Sequence, residues 1–152
     1  MKGTLALDLG TTTGWAWRAN QQVFSGTWSL KGGRYEGGGM RFLRLRNYLN
    51  AVLRSNPFEV LYFEEVRRHL GTDAAHIYGG CLAVVSAFCE ENKIAYQGIP
   101  VGTIKKHATG KGNADKKAMF GAAKAKWPNQ IIEDDNQADA LWILDTALSE
   151  TL

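Results

Sequence analysis

The sequence predicts an α/β fold: a mixed five-stranded sheet, an antiparallel meander first and parallel strands after it, flanked by helices. Three observations predict it. Three short β-type segments follow one another before residue 31 with only turns between them. Two later apolar strands are separated by helical patterns, and the final third of the chain reads as helix. At 152 residues and 45% apolar composition the chain can bury one substantial core without disulfides, so a single domain over 1–152 is expected.

Thr4 to Asp8 reads as a strand entering a turn at Gly10, and Gly14 to Arg18 and Gln22 to Leu30 as two more strands joined at Ala19-Asn20. Lys31 to Gly39 holds five glycines and few large apolar residues, the composition of a flexible loop that need not be ordered without a ligand. Phe42, Leu45, Leu49 and Val52 then fall at helical spacing, and Asn56-Pro57 ends that helix before a strand from Glu59 to Glu64. Thr72 or Asp73 is placed to cap a long helix reaching about Glu91. Its apolar stripe (Ala74, Ile77, Tyr78, Cys81, Val84, Val85, Phe88) is wide enough for two buried faces, one on the sheet and one on a second copy, or for a deeply buried central helix. A short strand, Ala95 to Gly98, leads through Pro100 into one basic helix, the loop Gly110-Lys111-Gly112, and a second basic helix from about Ala114 to Lys126, stopped by Pro128. The last helix is expected from near Asp134, where Asp134 and Gln137 have capping-box spacing, to about Glu150.

The net charge of +3 identifies no partner, but its distribution is informative. Between Val101 and Trp127 seven lysines face one acid, Asp115, so the rest of the chain is net acidic. Lysines for phosphates beside isolated acids for a cation is the arrangement a metal nuclease needs. Cys81 and Cys89, eight apart in an apolar helical stretch, read as packing residues suited to a reducing cytoplasm. Met1-Lys2 runs straight into a strand and no apolar run is long enough to cross a bilayer, so neither a signal peptide nor a membrane span is expected.

Three acidic signals stand out. Asp8 ends an apolar strand and opens the turn Asp8-Leu9-Gly10-Thr11-Thr12-Thr13-Gly14. A carboxylate there needs a cation or hydrogen bonds to offset its desolvation, unless it merely caps the turn. Glu64-Glu65 closes the strand Val60-Leu61-Tyr62-Phe63; the two glutamates face opposite sides, and periodicity leaves open which side is functional. Asp135-Asn136-Gln137-Ala138-Asp139 opens the last helix, where Asp139 shares a face with Asn136 and with Asp135, and lies beyond the positions at which a cap is useful. Acids from two strands and a helix can converge at one point of such a sheet. Oxygen ligands suit Mg²⁺ or Mn²⁺, and two such ions activate water and stabilise a departing 3′ oxygen. Zinc spacings and serine-nucleophile motifs are absent.

Asp8, Phe63-Glu64-Glu65, the stretch from Thr103-Ile104-Lys105-Lys106 through Gly110-Lys111-Gly112-Asn113-Ala114-Asp115-Lys116, and Ala138-Asp139-Ala140-Leu141 together resemble the RuvC-type Holliday-junction resolvases of the RNase H-like superfamily, in order and spacing. The resemblance covers nearly the whole chain. It implies an Mg²⁺-dependent endonuclease with two ions per site, Mn²⁺ substituting, that cuts four-way or related branched DNA. It implies Asp8, Glu64 and Asp139 as metal ligands, Glu64 rather than Glu65, and Lys105 and Lys116 as the basic residues near the scissile backbone. Arg67, Arg68, Lys106, Lys111 and Lys117 join these as DNA-binding candidates. A homodimer through the 73–91 helix and a cytoplasmic setting, in a bacterial host for a phage-encoded version, complete the expectation, with no membrane and no nucleotide cofactor.

Two departures mark this chain. Where the family carries an aspartate or histidine three residues before its final aspartate, this sequence has Asn136, with Asp135 beside it; either is the candidate fourth ligand. The segment Val66-Arg67-Arg68-His69 lacks the aromatic that some members use to probe the junction. Two other readings remain: a catalytically silent branched-DNA binding protein, motivated by Asn136, and an actin-like or sugar-kinase-like phosphotransfer domain, motivated by Asp8 to Gly14.

Overall fold

The computed structural model describes residues 2–69 and 71–150; Met1, from which the sequence runs into its first strand, lies outside them. Among the described residues ten elements follow in chain order: β1 (Gly3–Asp8), β2 (Thr12–Ala19), β3 (Gln22–Ser29), α1 (Met40–Ser55), β4 (Phe58–Glu65), α2 (Thr72–Glu91), β5 (Ala95–Pro100), α3 (Val101–Thr109), α4 (Lys116–Lys126) and α5 (Asp135–Glu150). The sheet order is β3-β2-β1-β4-β5, with β1, β2 and β3 antiparallel and β1, β4 and β5 parallel, as the element order predicts.

The meander closes at Asn20, whose φ of 57° gives the tight β2–β3 turn its left-handed residue. Parallel crossovers put helices on both faces. Leu5, Leu7, Leu61 and Phe63 point to one side and pack with Leu45 and Leu49 of α1 and Val85 and Phe88 of α2. Ala6 and Ala16 point to the other, where they meet Ile104 of α3, Met119 of α4 and Leu141 and Ile143 of α5. The small residues on this second face, with Ala138 and Ala140 across from them, let α5 lie close to the sheet.

Several boundaries differ from expectation, each for a local reason. β5 continues through Pro100 because its parallel pairing with β4 extends to Glu64↔Ile99 and Glu65↔Pro100. Proline at the strand end costs no ladder bond that the sheet needs. α4 starts at Lys116, not Ala114, because Asp115 is its N-cap and accepts from the Ala118 N–H at 2.8 Å. Neither Thr72 nor Asp73 caps α2; Gly71 occupies the cap position without a side-chain bond. At α5, Asp134 accepts from the Gln137 N–H at 2.8 Å as a cap should. The Gln137 side chain, however, reaches past Asp134 to the Glu133 N–H at 3.0 Å, so only half of the capping box forms.

Of the apolar α2 stripe, Cys81, Val85 and Phe88 are buried within this chain, Ile77, Tyr78 and Val84 are half-buried and Ala74 is exposed; elsewhere on the helix Cys89 is buried, while Gly79, Ala83 and Ala87 are exposed. The two cysteines are free, and burial pushes their thiols up to about 11 at Cys81 and about 12 at Cys89, which makes them inert packing groups. Among the described residues no helix is long and apolar enough to cross a membrane.

Candidate functional site

Strand alternation places the first two acids. Asp8 follows Ala6 on the face covered by α5, and Glu64 follows Tyr62 on that same face. Because β1 and β4 are parallel and Leu7 pairs with Phe63, the next residues of the two strands are Asp8 and Glu64, side by side where the ladder ends. Glu65 belongs to the other side: it pairs with Arg67 at 3.0 Å and lines a separate groove with Arg68, Pro100 and Gly102. Glu64, and not Glu65, is thus the glutamate that lies beside Asp8.

α5 delivers the third acid. Asp8, Glu64, Asn136 and Asp139 line one cavity of about 240 Å³ together with Lys105 and Lys116, under apolar walls from Val101, Ile104, Met119 and Ile143. Asp135 is not among the lining residues. It turns to Lys116, with Nζ and Oδ2 3.3 Å apart. Arg67, Arg68, Lys106, Lys111 and Lys117 are exposed outside the cavity, on the loop after β4, on α3, on the loop between α3 and α4, and on α4.

Two contacts that sequence reading missed seat α5. Gly14 pairs with Asp8 in the β1–β2 ladder and presses on the backbone of Asn136: a Cβ there would lie 1.8 Å from the Asn136 carbonyl oxygen. The sequence signal was a glycine inside an alternating strand, which marks close backbone approach. Ser25, Gln130 and Gln137 form the second seat. Ser25 Oγ donates to Gln130 Oε1 at 2.8 Å, and the buried Gln137 Nε2 donates to Ser25 Oγ at 3.0 Å and to the Ile131 carbonyl at 2.9 Å. No spacing rule could have found bonds that span more than a hundred residues. At the far side, His107 of α3 and Lys126 of α4 both hold Asp145 of α5, at 2.7 and 3.1 Å, tying together the three helices that wall the site.

The electrostatics are those of negative charge in excess of its compensation. Burial raises the Asp8 carboxyl well above its usual value, and Asp139, Glu64 and Asp135 push it further while Lys116 opposes. Burial likewise raises Glu64, against the pull of Lys105, a hydrogen bond with Asp8, and Lys116. Asp139 is pushed up to about 7, first by burial and then by Glu64 and Asp135, with Lys116 and Lys105 opposing. Two lysines do not balance three part-buried acids, and a cation held among them would favour their ionised forms.

The donor set is all oxygen, which fits a hard divalent ion and not zinc. Among the described residues, no three His, Cys, Asp or Glu side chains form a finished metal cage. The acids share a cavity without closing around a point. The turn after Asp8 is self-contained: the buried Thr13 Oγ1 donates to the Gly10 carbonyl at 2.8 Å, so this hydroxyl is spent on the turn and not offered to a phosphate.

No family model matches the sequence. No curated protein matches it either. Solved structures do. The chain is similar to Thermus thermophilus RuvC in complex with a Holliday junction substrate, at 19% identity and a TM-score of 0.83 over 99% of this chain and 95% of that one. A second Thermus thermophilus RuvC structure aligns at 18% identity and TM-score 0.77, covering 98% and 95% of the two chains. The yeast mitochondrial Holliday junction resolvase aligns at 16% identity and TM-score 0.62, covering 95% of this chain and 78% of that one. The fold is thus that of the RuvC resolvases, RNase H-like, as the sequence resemblance implied.

Proposed function

We propose that the chain is a structure-selective endonuclease that cuts Holliday junctions or related branched DNA by divalent-metal phosphodiester hydrolysis. The observation that carries this reading is the shared cavity: three part-buried carboxyls from β1, β4 and α5, each raised above its usual pKa and flanked by two lysines. The structures it resembles, one of them bound to a junction, support the choice of substrate.

In this reading Asp8, Glu64 and Asp139 hold Mg²⁺ or Mn²⁺, and the Asn136 carboxamide oxygen is the fourth ligand. Two ions held there supply Lewis-acid activation of water and of the phosphodiester. Lys105 and Lys116 bind the phosphates on either side of the scissile bond, and Asp135 orients Lys116 from outside the cavity. Val101, Ile104, Met119 and Ile143 keep the floor dry, which strengthens every charge interaction above it. Lys106, Lys111, Lys117, Arg67 and Arg68 extend the phosphate track along the DNA arms. A homodimer through the exposed small-residue face of α2 places two such sites on one junction, in the reducing cytoplasm that free cysteines suit.

Purified protein with Mg²⁺ or Mn²⁺ should nick a synthetic four-way junction faster than the matching linear duplex. Cleavage at equal rates, or none with either ion, defeats the proposal. Asn136, which lowers the site's negative charge, favours a second reading: a junction-binding protein without nuclease activity. Tight junction binding with no scission at any metal concentration would select it.

A further inference from the structure

The glycine-rich loop from Lys31 to Gly39 has no part in the site described above, yet three observations make it a ligand-binding element. First, its Tyr35 ring is 91% exposed, with the Arg34 guanidinium 5.5 Å from the ring centroid. An aromatic left in water with a cation at its side is a stacking platform for a nucleobase.

Second, the glycines are not demanded by the conformation they adopt. A Cβ at Gly32, Gly37, Gly38 or Gly39 would meet nothing within 4 Å, and none of these residues has a positive φ. Their remaining use is freedom to rearrange. Third, donors that lack acceptors lie where the loop runs into α1. Arg41 Nε and Arg44 Nη1, at the start of α1, are shut off from solvent without a hydrogen-bond partner, while the other Arg44 nitrogen is held by Glu36 of the loop. Unsatisfied buried guanidinium N–H groups cost free energy that an incoming phosphate would recover.

Position fits this use. β3 runs parallel to β1, so the loop leaves the sheet at the same end as Asp8; the Leu30 N–H that starts it bonds the Thr11 carbonyl at 2.7 Å. It departs two strands from Asp8, about 10 Å across the sheet, from the edge opposite β5. DNA crossing the acids would meet α3, which follows β5, on one flank and this loop, which follows β3, on the other. Lys31, Arg34, Arg41 and Arg44 outnumber Glu36 there, a basic cluster hidden in the sequence by the acidic average outside residues 101–127.

We propose that loop 31–39 is a branch-recognition arm: Tyr35 stacks on an unstacked base at the junction centre, and Arg34, Arg41 and Arg44 take the neighbouring phosphates. This rests on the branched-DNA reading above. The test measures, in EDTA so that no strand is cut, the binding of wild type, Tyr35→Ala and Tyr35→Phe to a four-way junction carrying 2-aminopurine at the branch point and to the matching duplex. Tyr35→Ala should lose on the order of ten-fold in junction affinity and most of the fluorescence change, with duplex affinity unaltered. Tyr35→Phe should retain both. An alanine variant that binds junctions like wild type, one that loses duplex affinity equally, or a phenylalanine variant that fails like alanine would each overturn the assignment. Wild type that shows no preference for the junction would instead defeat the proposed function, and this arm with it.

Discussion

Substituting Gly14 by alanine should separate the acids without touching any of them. The added Cβ would lie 1.8 Å from the Asn136 carbonyl oxygen, 2.4 Å from its carbon and 3.1 Å from the Gln137 nitrogen. A carbon–oxygen contact needs about 3.3 Å, so the first turn of α5 must retreat by about 1.5 Å. The obstacle is backbone, which has no rotamer with which to evade. Asn136 and Asp139 ride on that turn, while Asp8, paired to Gly14 across the ladder, stays with the sheet. Overpacking of this kind costs about 1–3 kcal/mol of stability, and misplacing a reacting group by about 1 Å costs on the order of 100-fold in rate. Single-turnover junction cleavage at saturating Mn²⁺, beside a thermal melt, measures both. Gly121→Ala is the control, since its Cβ meets nothing within 4 Å on α4; it should gain up to about 1 kcal/mol and cut normally. A Gly14→Ala protein that cuts at the wild-type rate would show that the seat of α5 does not set the geometry of the site.

The other perturbations are simpler to state. Asp139 has a folded pKa of about 7 against an ordinary 3.8, so its contribution to stability is fully present below the lower value and lost as pH rises through the higher one. Metal-free protein should therefore melt lower at pH 8 than at pH 5, Mg²⁺ should restore the loss, and Asp139→Asn should make the profile shallower, the raised Asp8 and Glu64 still contributing, while abolishing cleavage; a flat wild-type profile in EDTA would contradict the burial argument. His107→Ala should cost about 1 kcal/mol and raise KM for junction DNA several-fold by loosening α3, which carries Lys105, with His107→Gln restoring part of the loss; an unchanged KM would confine the His107–Asp145 pair to stability alone. Ala83→Arg, on the exposed face of α2, should convert a sedimenting dimer to a folded monomer, and a dimer that survives it lies elsewhere.

The fold was legible because its signals are local and repeated. β1 and β4 read as apolar strands, α1 shows its Leu45–Leu49–Val52 spacing, and the order of elements restricts the connections to a meander followed by crossovers. Ends were less legible: β5 outran its expected end because a partner strand, invisible in one segment, kept pairing with it. Within the site, the acids were visible as charges on apolar elements, but the side of Glu64 depended on which face α5 covers, a tertiary fact. Gly14 and Gln137 each carry a local signal in the sequence, of a turn and of a cap, and their larger effect is through contacts with distant segments. The basic character of loop 31–39 was lost by averaging charge over the remainder of the chain.

Titration of the metal-free protein with Mn²⁺ at pH 8, followed by the loss of the free-ion resonance in electron paramagnetic resonance, asks most directly whether β1, β4 and α5 build one cation site. Wild type should bind the ion, and Asp8→Asn, Glu64→Gln and Asp139→Asn should each weaken that binding. Should any one of the three bind as wild type does, that side chain is no ligand and the shared-site account is wrong.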